Sequence, residues 1–211
     1  MMESHLSQLL ENKPISEIAS IINAMKDKLI IRHGRKNRRI FLTIRGERQM
    51  LFLLQGHINL VRQWDLRTLA NMRAPFMLGA GGPSVGEDNH FVIRAIDDIE
   101  YALLPATVFE QYLDDFNLWK PHATILTWML MWYHLYHNIL AENDYGRTAY
   151  ILLDALSHEP ELIRHNTTAL SYIQDRTLFS RSWIMQFLAD LKQSGKIELK
   201  RGILVKLNPP D

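Results

Sequence analysis

Short apolar segments separated by turn residues fill the chain from about residue 29 to residue 105. They are rich in Ile, Leu, Val and Phe and recur at intervals of roughly ten residues, a pattern that predicts an antiparallel barrel or roll of short strands. Upstream, apolar residues at helical spacing over residues 4–28 predict one or two short helices, broken at Pro14. The residues that punctuate the strand region are Gly34, Gly46, Gly56, Gly79 and Pro105.

A short helix is predicted directly after Pro105, with Thr107 as its N-cap, and a long apolar helix from about Asn117 to Asn143. The large side chains of the long helix cover more than one face, which indicates burial on several sides. It is either a core helix of one chain or, as we favour, a helix that packs on its own domain and on a second subunit. The residues expected at that dimer interface are Ile125, Trp128, Met129, Trp132, Leu135, Tyr136 and Ile139.

The C-terminal part of the chain has the element order of a winged helix-turn-helix. After a helix over 145–159, a short helix over 168–176 and a second helix over 180–193 are predicted. Two strands follow, over 196–199 and 203–207, joined by a tight basic turn. A helix, a turn, a helix and a hairpin in this order are typical of winged DNA-binding domains.

The second of these helices has one apolar and one polar face. Its apolar residues are Ile184, Phe187, Leu188 and Leu191. A recognition helix reads base edges with its N-terminal residues, so we expect Arg181 to contact guanine and Gln186 to contact adenine. The predicted DNA-binding residues are Ser180, Arg181, Ser182, Trp183 and Gln186 on the helix, and Lys200, Arg201 and Lys206 on the hairpin.

The distribution of charge agrees with this interpretation, although the net charge is only +1. Residues 101–163 carry 2 Lys/Arg and 8 Asp/Glu, whereas residues 164–206 carry 8 and 3. A basic C-terminal block behind an acidic middle favours nucleic acid as the partner of the C-terminal part.

Composition narrows the functional classes. The absence of cysteine excludes disulfides, thiol catalysis and Cys-ligated metal centres. The nine histidines have no spacing typical of metal ligands, and we find no catalytic triad and no paired-carboxylate pattern. We therefore expect no metal, no cofactor and no enzymatic activity.

No long apolar run follows the first methionine, so a signal peptide is not predicted. The most apolar stretch, Thr124 to Leu140, has 17 residues, the lower limit for a membrane span, and contains two histidines. We therefore expect a cytoplasmic protein that does not bind membranes.

Two other segments have more than one interpretation. Residues 79–86 are glycine-rich but lack the Gly-Lys-Ser/Thr of a Walker loop and the helix that follows a dinucleotide fingerprint, which favours a turn between strands. The basic run from Arg32 to Arg39 is typical of a solvated loop, with contact to an anion or to the DNA backbone as the alternative.

The order of these parts resembles the cyclic-AMP receptor protein and FNR-type bacterial regulators. The residues that carry the resemblance are Leu51–Gly56, Phe76–Gly79, Val92–Ala95, Asp144–Arg147 and Ser180–Arg181, the last with the apolar face of its helix. The resemblance implies an α+β fold with a cyclic-nucleotide-binding-like N-terminal antiparallel β-roll, a long dimerisation helix and a C-terminal winged helix-turn-helix. The corresponding domains are 1–116, 117–143 and 144–211.

A narrower resemblance, to the IprA-like branch named for inhibition of hydrogen peroxide resistance, rests on Arg73–Phe76, Tyr172–Thr177 and Ser180–Ser182. It implies a stress-related transcriptional regulator whose partners are double-stranded DNA, a second copy of the chain and RNA polymerase. Rival classes are a cupin-like metal or small-molecule-binding protein and an adaptor whose winged helix binds protein. Salt-dependent binding to duplex DNA would separate the regulator from both.

The sequence departs from the superfamily at the ligand cassette. Cyclic-nucleotide binders place Glu after the cassette glycine and an Arg at the phosphate, whereas this chain has Ala80 after Gly79 and Asn89–His90 at the phosphate position. We therefore predict a degenerate effector pocket, formed by Gly79, Ala80, Asn89 and His90, that does not bind cyclic AMP.

Overall fold

The computed structural model describes residues 12–79, 91–141 and 143–208. They form two compact units, one over Lys13–Met129 and one from Leu130 onward. The division lies within the long helix, so one helix contributes to both units. The domain limits expected at residues 116 and 143 remain a prediction.

Among its described residues, the first unit combines helices with nine short strands. Its helices are α1 (Ile15–Met25), a 3-10 turn (Lys26–Lys28), α2 (Ala106–Asp115) and the first part of α3 (Trp119–Leu140). Its strands are β1 (Arg32–Gly34), β2 (Arg39–Ile40), β3 (Thr43–Ile44), β4 (Glu47–Gln55), β5 (His57–Arg62), β6 (Thr68–Arg73), β7 (Phe76–Gly79), β8 (Phe91–Ala95) and β9 (Ile99–Pro105).

The strands pair into two antiparallel sheets, which confirms the predicted antiparallel roll. One sheet has five strands in the order β1-β9-β4-β3, with β7 also paired to β4, and the other has four in the order β2-β8-β5-β6. The apolar segment 67–78 forms two strands, β6 and β7, with Ala74 and Pro75 between them. Alternate side chains of β6 lie in the core, and three consecutive side chains of β7 are buried there.

Helix α1 packs on this roll through one face. Ile18, Ile21 and Met25 recur at helical spacing and are fully buried. They share a core with Phe52 and Phe109, whose rings meet edge to face at 6.0 Å. Helix α2 begins directly after Pro105 without a side-chain cap, so the expected N-cap role of Thr107 is wrong.

The second unit consists of the end of α3, four further helices and a hairpin. They are α4 (Tyr145–His158), α5 (Glu161–Asn166), α6 (Ala169–Gln174), α7 (Arg181–Gln193), β10 (Ile197–Lys200) and β11 (Ile203–Leu207). Its core collects apolar side chains from α3, α4, α6 and α7. Within the described ranges, every helix is too short or too polar to span a lipid bilayer.

Most of the residues predicted at the dimer interface on α3 are covered by side chains of their own unit. Ile125 and Met129 pack in the core of the first unit, and Trp132, Tyr136 and Ile139 pack in the cores of the second. Trp128 is also buried, and Leu135 is half-buried. A periodic apolar pattern marks a buried stripe without showing which chain buries it, so the interface expected from the sequence stays a prediction. The large apolar side chains of α3 that are exposed instead are Trp119, Leu126, Leu130, Met131, Tyr133 and Leu140.

His122 lies inside the first unit at the start of α3. Its side chain is only 2% exposed, it meets the Phe109 ring at 5.2 Å, and its Nε2 atom has no hydrogen-bond partner among the described residues. Burial lowers the pKa of His122, and the charge of Glu110 opposes this in part. The imidazole is therefore held neutral in the folded protein.

We expect the free energy of unfolding to depend on pH through His122. Its folded pKa lies below its unfolded value of about 6.5, so below that pH the unfolded chain binds a proton that the folded chain resists, and stability falls. The contribution is at most about 1.4 kcal/mol per pH unit. Chemical denaturation of His122→Gln from pH 7.5 to 5 should show a shallower loss than the wild type. The exposed His134→Gln provides the control, and parallel curves for all three proteins would contradict the assignment.

Candidate nucleic-acid interface

Two side-chain caps fix the start of both helices of the helix-turn-helix. Thr168 Oγ1 accepts the Ser171 backbone N–H at 3.1 Å, and Ser180 Oγ accepts that of Trp183 at 3.2 Å. Ser180 is therefore the N-cap of α7. Its hydroxyl oxygen is used to cap the helix. The other N–H groups of the first turn have no partner within the helix and suit a phosphate.

A buried polar network fixes the turn between α6 and α7. The Arg176 guanidinium lies 3.5 Å from the centre of the Tyr172 ring and donates to the Tyr172 carbonyl at 3.2 Å. The Tyr172 hydroxyl donates to Glu159 at 2.8 Å. Burial raises the pKa of Tyr172 well above its ordinary value, so it stays a neutral donor. Arg176 adds to the basic composition of this region but is buried and unavailable to DNA.

Helix α7 presents the predicted polar face to solvent. Ile184 and Leu188 are buried on the opposite side, while Arg181, Ser182 and Gln186 are exposed. The Gln186 amide donates to Asp190 at 2.8 Å, which holds this side chain along the helix. Arg181 stands at the first helical position, where a recognition helix contacts base edges.

Met185 belongs to the same exposed face and was missed in the sequence interpretation. It follows Arg181 by one helical turn and is 54% exposed. An apolar side chain here can contact a thymine methyl group in the major groove. The sequence could have indicated this exposure through helical spacing, because position 185 falls outside the apolar set 184, 187, 188 and 191.

The structure corrects the predicted place of Trp183 on the exposed face. Its indole is half-buried and stacks on Phe187 at 5.2 Å, meets Phe179 at 4.9 Å and lies 6.1 Å from Tyr145. These four rings form an aromatic cluster that joins α7 to the turn before it and to the start of α4. Trp183 therefore packs α7 onto its own unit.

The hairpin, or wing, is built around a two-residue turn. Arg201 and Gly202 both have positive φ, 52° and 82°, and Lys200 pairs with Ile203, as in a type I′ hairpin. The Gly202 carbonyl accepts the Ala169 N–H at 2.9 Å, so the tip of the wing is bonded to the start of α6. A Cβ at Gly202 would lie 3.2 Å from Thr168.

The three basic residues predicted on the wing are all exposed. Lys200 and Arg201 lie at the tip. Lys206 lies on β11 directly opposite Glu198, so a carboxylate faces its charge across the hairpin. The tip residues are therefore better placed than Lys206 to contact phosphate.

Of the predicted effector pocket, only Gly79 lies among the described residues. Its φ is 135°, and a Cβ there would lie 2.4 Å from the Gln49 carbonyl oxygen, so the position requires glycine. Ala80, Asn89 and His90 lie outside the described residues. The described residues contain no group of three or more His, Asp or Glu that could hold a metal ion.

Comparison with known proteins shows which family model, relatives and solved structures this chain resembles. Residues 147–209 match the family model described as winged helix-turn-helix DNA binding. The inhibitor of hydrogen peroxide resistance of Escherichia coli K12 is 24% identical over 93% of this chain and 95% of its own. The c-di-GMP responsive global regulator CLP of Xanthomonas campestris superposes with a TM-score of 0.72, at 16% identity over 91% of this chain and 100% of that one. A crp/fnr-family protein from Eubacterium rectale gives 0.59, at 18% identity over 90% of each chain.

The chain therefore has the fold of the CRP/FNR-type transcription regulators, with a winged helix-turn-helix DNA-binding domain at its C-terminal end. By sequence it is similar to proteins named inhibitor of hydrogen peroxide resistance, from Escherichia coli and Salmonella typhimurium. Both resemblances inferred from the sequence are confirmed.

Proposed function

We propose that this protein is a sequence-specific, homodimeric DNA-binding regulator of stress-related transcription. The observation that carries the proposal is the exposed N-terminal face of α7, which is capped at Ser180 and lies in the same unit as a basic wing tip. The protein acts without catalysis, in the cytoplasm, and meets RNA polymerase at the promoters that it controls. The names of its relatives support the link to peroxide stress.

Recognition divides between two sets of residues. Arg181, Met185 and Gln186 read base edges in the major groove, with Gln186 released from Asp190 when it turns to a base. Ser182 and the wing residues Lys200 and Arg201 contact phosphate, which fixes the register of the helix without reading sequence. Rigid capping and the bonded wing tip mean that little ordering is needed on binding.

Arg181→Ala should weaken binding to the best site by about 1–3 kcal/mol and relax the sequence preference, because a bidentate contact to guanine is lost. Sites selected from random duplex DNA, followed by titration of the variant on the winning and mismatched sequences, measure both effects. Lys192→Ala, which removes an exposed charge from the last turn of the same helix, is the control. Uniform weakening on every sequence would show that Arg181 is not a base reader.

Lys200→Ala should instead lower the salt slope by about 0.9 without altering preference.

The exposed face of α3 supports a dimer formed with a second copy. Seven residues of this helix are exposed at alternating spacings of four and three, which is the heptad pattern of a coiled-coil seam. We place the interface on these exposed residues in preference to the ones expected from the sequence. The seam residues are Trp119, Ala123, Leu126, Leu130, Tyr133, His137 and Leu140. Two-fold symmetry would place two recognition helices one DNA turn apart, about 34 Å, on a pseudo-palindromic site.

Leu130→Glu should convert the dimer to a monomer, because it places a carboxylate at the centre of the apolar seam of both copies. Light scattering at micromolar concentration measures the mass, and titration with a two-half-site duplex measures the loss of affinity. Thr124→Glu adds the same charge on the exposed side of α3 outside the seam and should leave the dimer intact. A wild-type monomer, or equal behaviour of the two variants, would contradict the proposed interface.

Cyclic AMP should not regulate this protein. Ala80 supplies no carboxylate for the ribose, and Asn89–His90 supply no permanent cation for a buried cyclic phosphate, whose unpaired charge is costly to bury. Calorimetric titration with millimolar cyclic AMP should give no saturable heat. Saturable binding coupled to a change in DNA affinity would refute this assignment of the cassette.

A further inference from the structure

Two arginines lie directly opposite each other on the outer surface of the roll. Arg39 on β2 pairs with Arg94 on β8, and the adjacent pair, Ile40 and Ile93, is buried. Because side chains alternate along a strand, both guanidinium groups point away from the core, and both residues are exposed. Like charges at directly opposed positions repel each other and destabilise a sheet.

The same cross-strand row continues with amides and contains no carboxylate. Asn59 on β5 lies opposite Arg94, and Asn71 on β6 lies opposite Asn59. With its amide oriented to satisfy both partners, Asn59 donates to the Arg94 carbonyl at 2.9 Å and accepts from Arg94 Nη2 at 3.2 Å. The Arg94 guanidinium is therefore held on this surface by a neutral group that leaves its charge in place.

The turn before β2 adds three more exposed cations on a fixed backbone. Two hydrogen bonds join this turn to β8: the Asn37 N–H donates to the Ala95 carbonyl, and the Ala95 N–H donates to the Arg38 carbonyl, each at 2.9 Å. Within the turn, the Arg38 N–H donates to the Arg35 carbonyl at 2.9 Å. The basic run is thus tied to β8 and is not a loose solvated loop. We call Arg39 and Arg94 together the basic face. The cations of the turn are not counted in it, because Arg35 lines a cavity with Asp98 and Glu100 and the Arg38 Cγ lies 3.4 Å from where a Cβ at Gly34 would stand.

Nearby carboxylates are engaged elsewhere. Both oxygens of Asp97 accept from His57, from its backbone N–H and from Nδ1, each at 2.7 Å. Asp98 accepts the backbone N–H of Lys36 at 3.1 Å and leaves the Lys36 ammonium free. Within residues 12–79, 91–141 and 143–208, neither Arg39 nor Arg94 forms an ion pair. The basic face therefore carries positive charge that an external anion would neutralise.

We propose that the basic face binds the phosphate backbone of duplex DNA outside the segment that α7 reads. This inference rests on the proposed function. Both cations of the basic face are arginines, whose planar guanidinium matches phosphate oxygens through two parallel hydrogen bonds. These contacts carry no sequence information and add affinity that depends on salt.

The test compares the full-length wild type with Arg39→Gln/Arg94→Gln on two duplexes. Both carry the same selected site, one with minimal flanks and one with long flanks. Lys26→Gln/Lys28→Gln removes the same charge from an exposed turn of the same unit and controls for net charge. Arg39→Gln alone keeps the contact between Arg94 and Asn59. Removing the repulsion should not lower the thermal midpoint, which circular dichroism checks.

We expect the double variant to lose several-fold affinity on the long duplex only, with its salt slope reduced by roughly 1–2. Arg39→Gln should lose part of this, and the lysine control should match the wild type. The inference is overturned if the double variant binds both duplexes as tightly as the lysine control does, or if it loses the same affinity on both duplexes. Either result counts against the inference alone as long as the wild type still binds and Arg181→Ala still loses its sequence preference. Absence of wild-type binding to any duplex would instead refute the proposed function. If the double variant instead lost binding to an acidic protein while its DNA binding stayed unchanged, the assignment of the basic face to DNA would also be overturned.

Discussion

Burial of successive parts of one helix by two different cores is the constraint on which the rest of this structure depends. Ile125 lies in the core of the first unit, and Tyr136 and Ile139 lie in the cores of the second. Both units take apolar side chains from the same 22-residue helix. The place of a residue around α3 therefore decides whether its own chain covers it. Of the large apolar side chains of α3 left exposed, all but Met131 fall on the heptad positions, which is why the proposed partner is another copy of the same helix.

Helix α7 depends on three fixed points that lie outside its exposed face. Ser180 caps its first turn, Ile184 and Leu188 bury its opposite side, and the aromatic packing of Trp183 joins it to the preceding turn. The wing is fixed separately, by the hydrogen bond between Gly202 and Ala169. Because none of these groups is needed at the exposed surface, Arg181 and its neighbours are presented to solvent on a rigid frame. Rigidity of this kind lowers the entropic cost of binding.

Local geometry, and not net charge, determines which cations of this protein can bind an anion. Asp65 neutralises Arg62 and Arg67 on the β5–β6 hairpin, Arg176 is buried on Tyr172, and Lys206 faces Glu198. The cations at the wing tip and on the basic face have no such carboxylate partner among the described residues. A protein with a balanced charge total thus retains two separate positive surfaces.

The amino-acid sequence by itself determined the elements whose signals are local. The helix caps at Thr168 and Ser180, the buried face of α7 and the alternating strands of the roll follow from backbone hydrogen bonding and side-chain periodicity over a few residues. The tertiary structure alone decided what covers each apolar stripe and which charges meet across strands. It buried Ile125 within its own chain, turned Trp183 inward and set Arg39 opposite Arg94, because those contacts join residues that are distant in sequence or lie on elements whose neighbours no local pattern specifies.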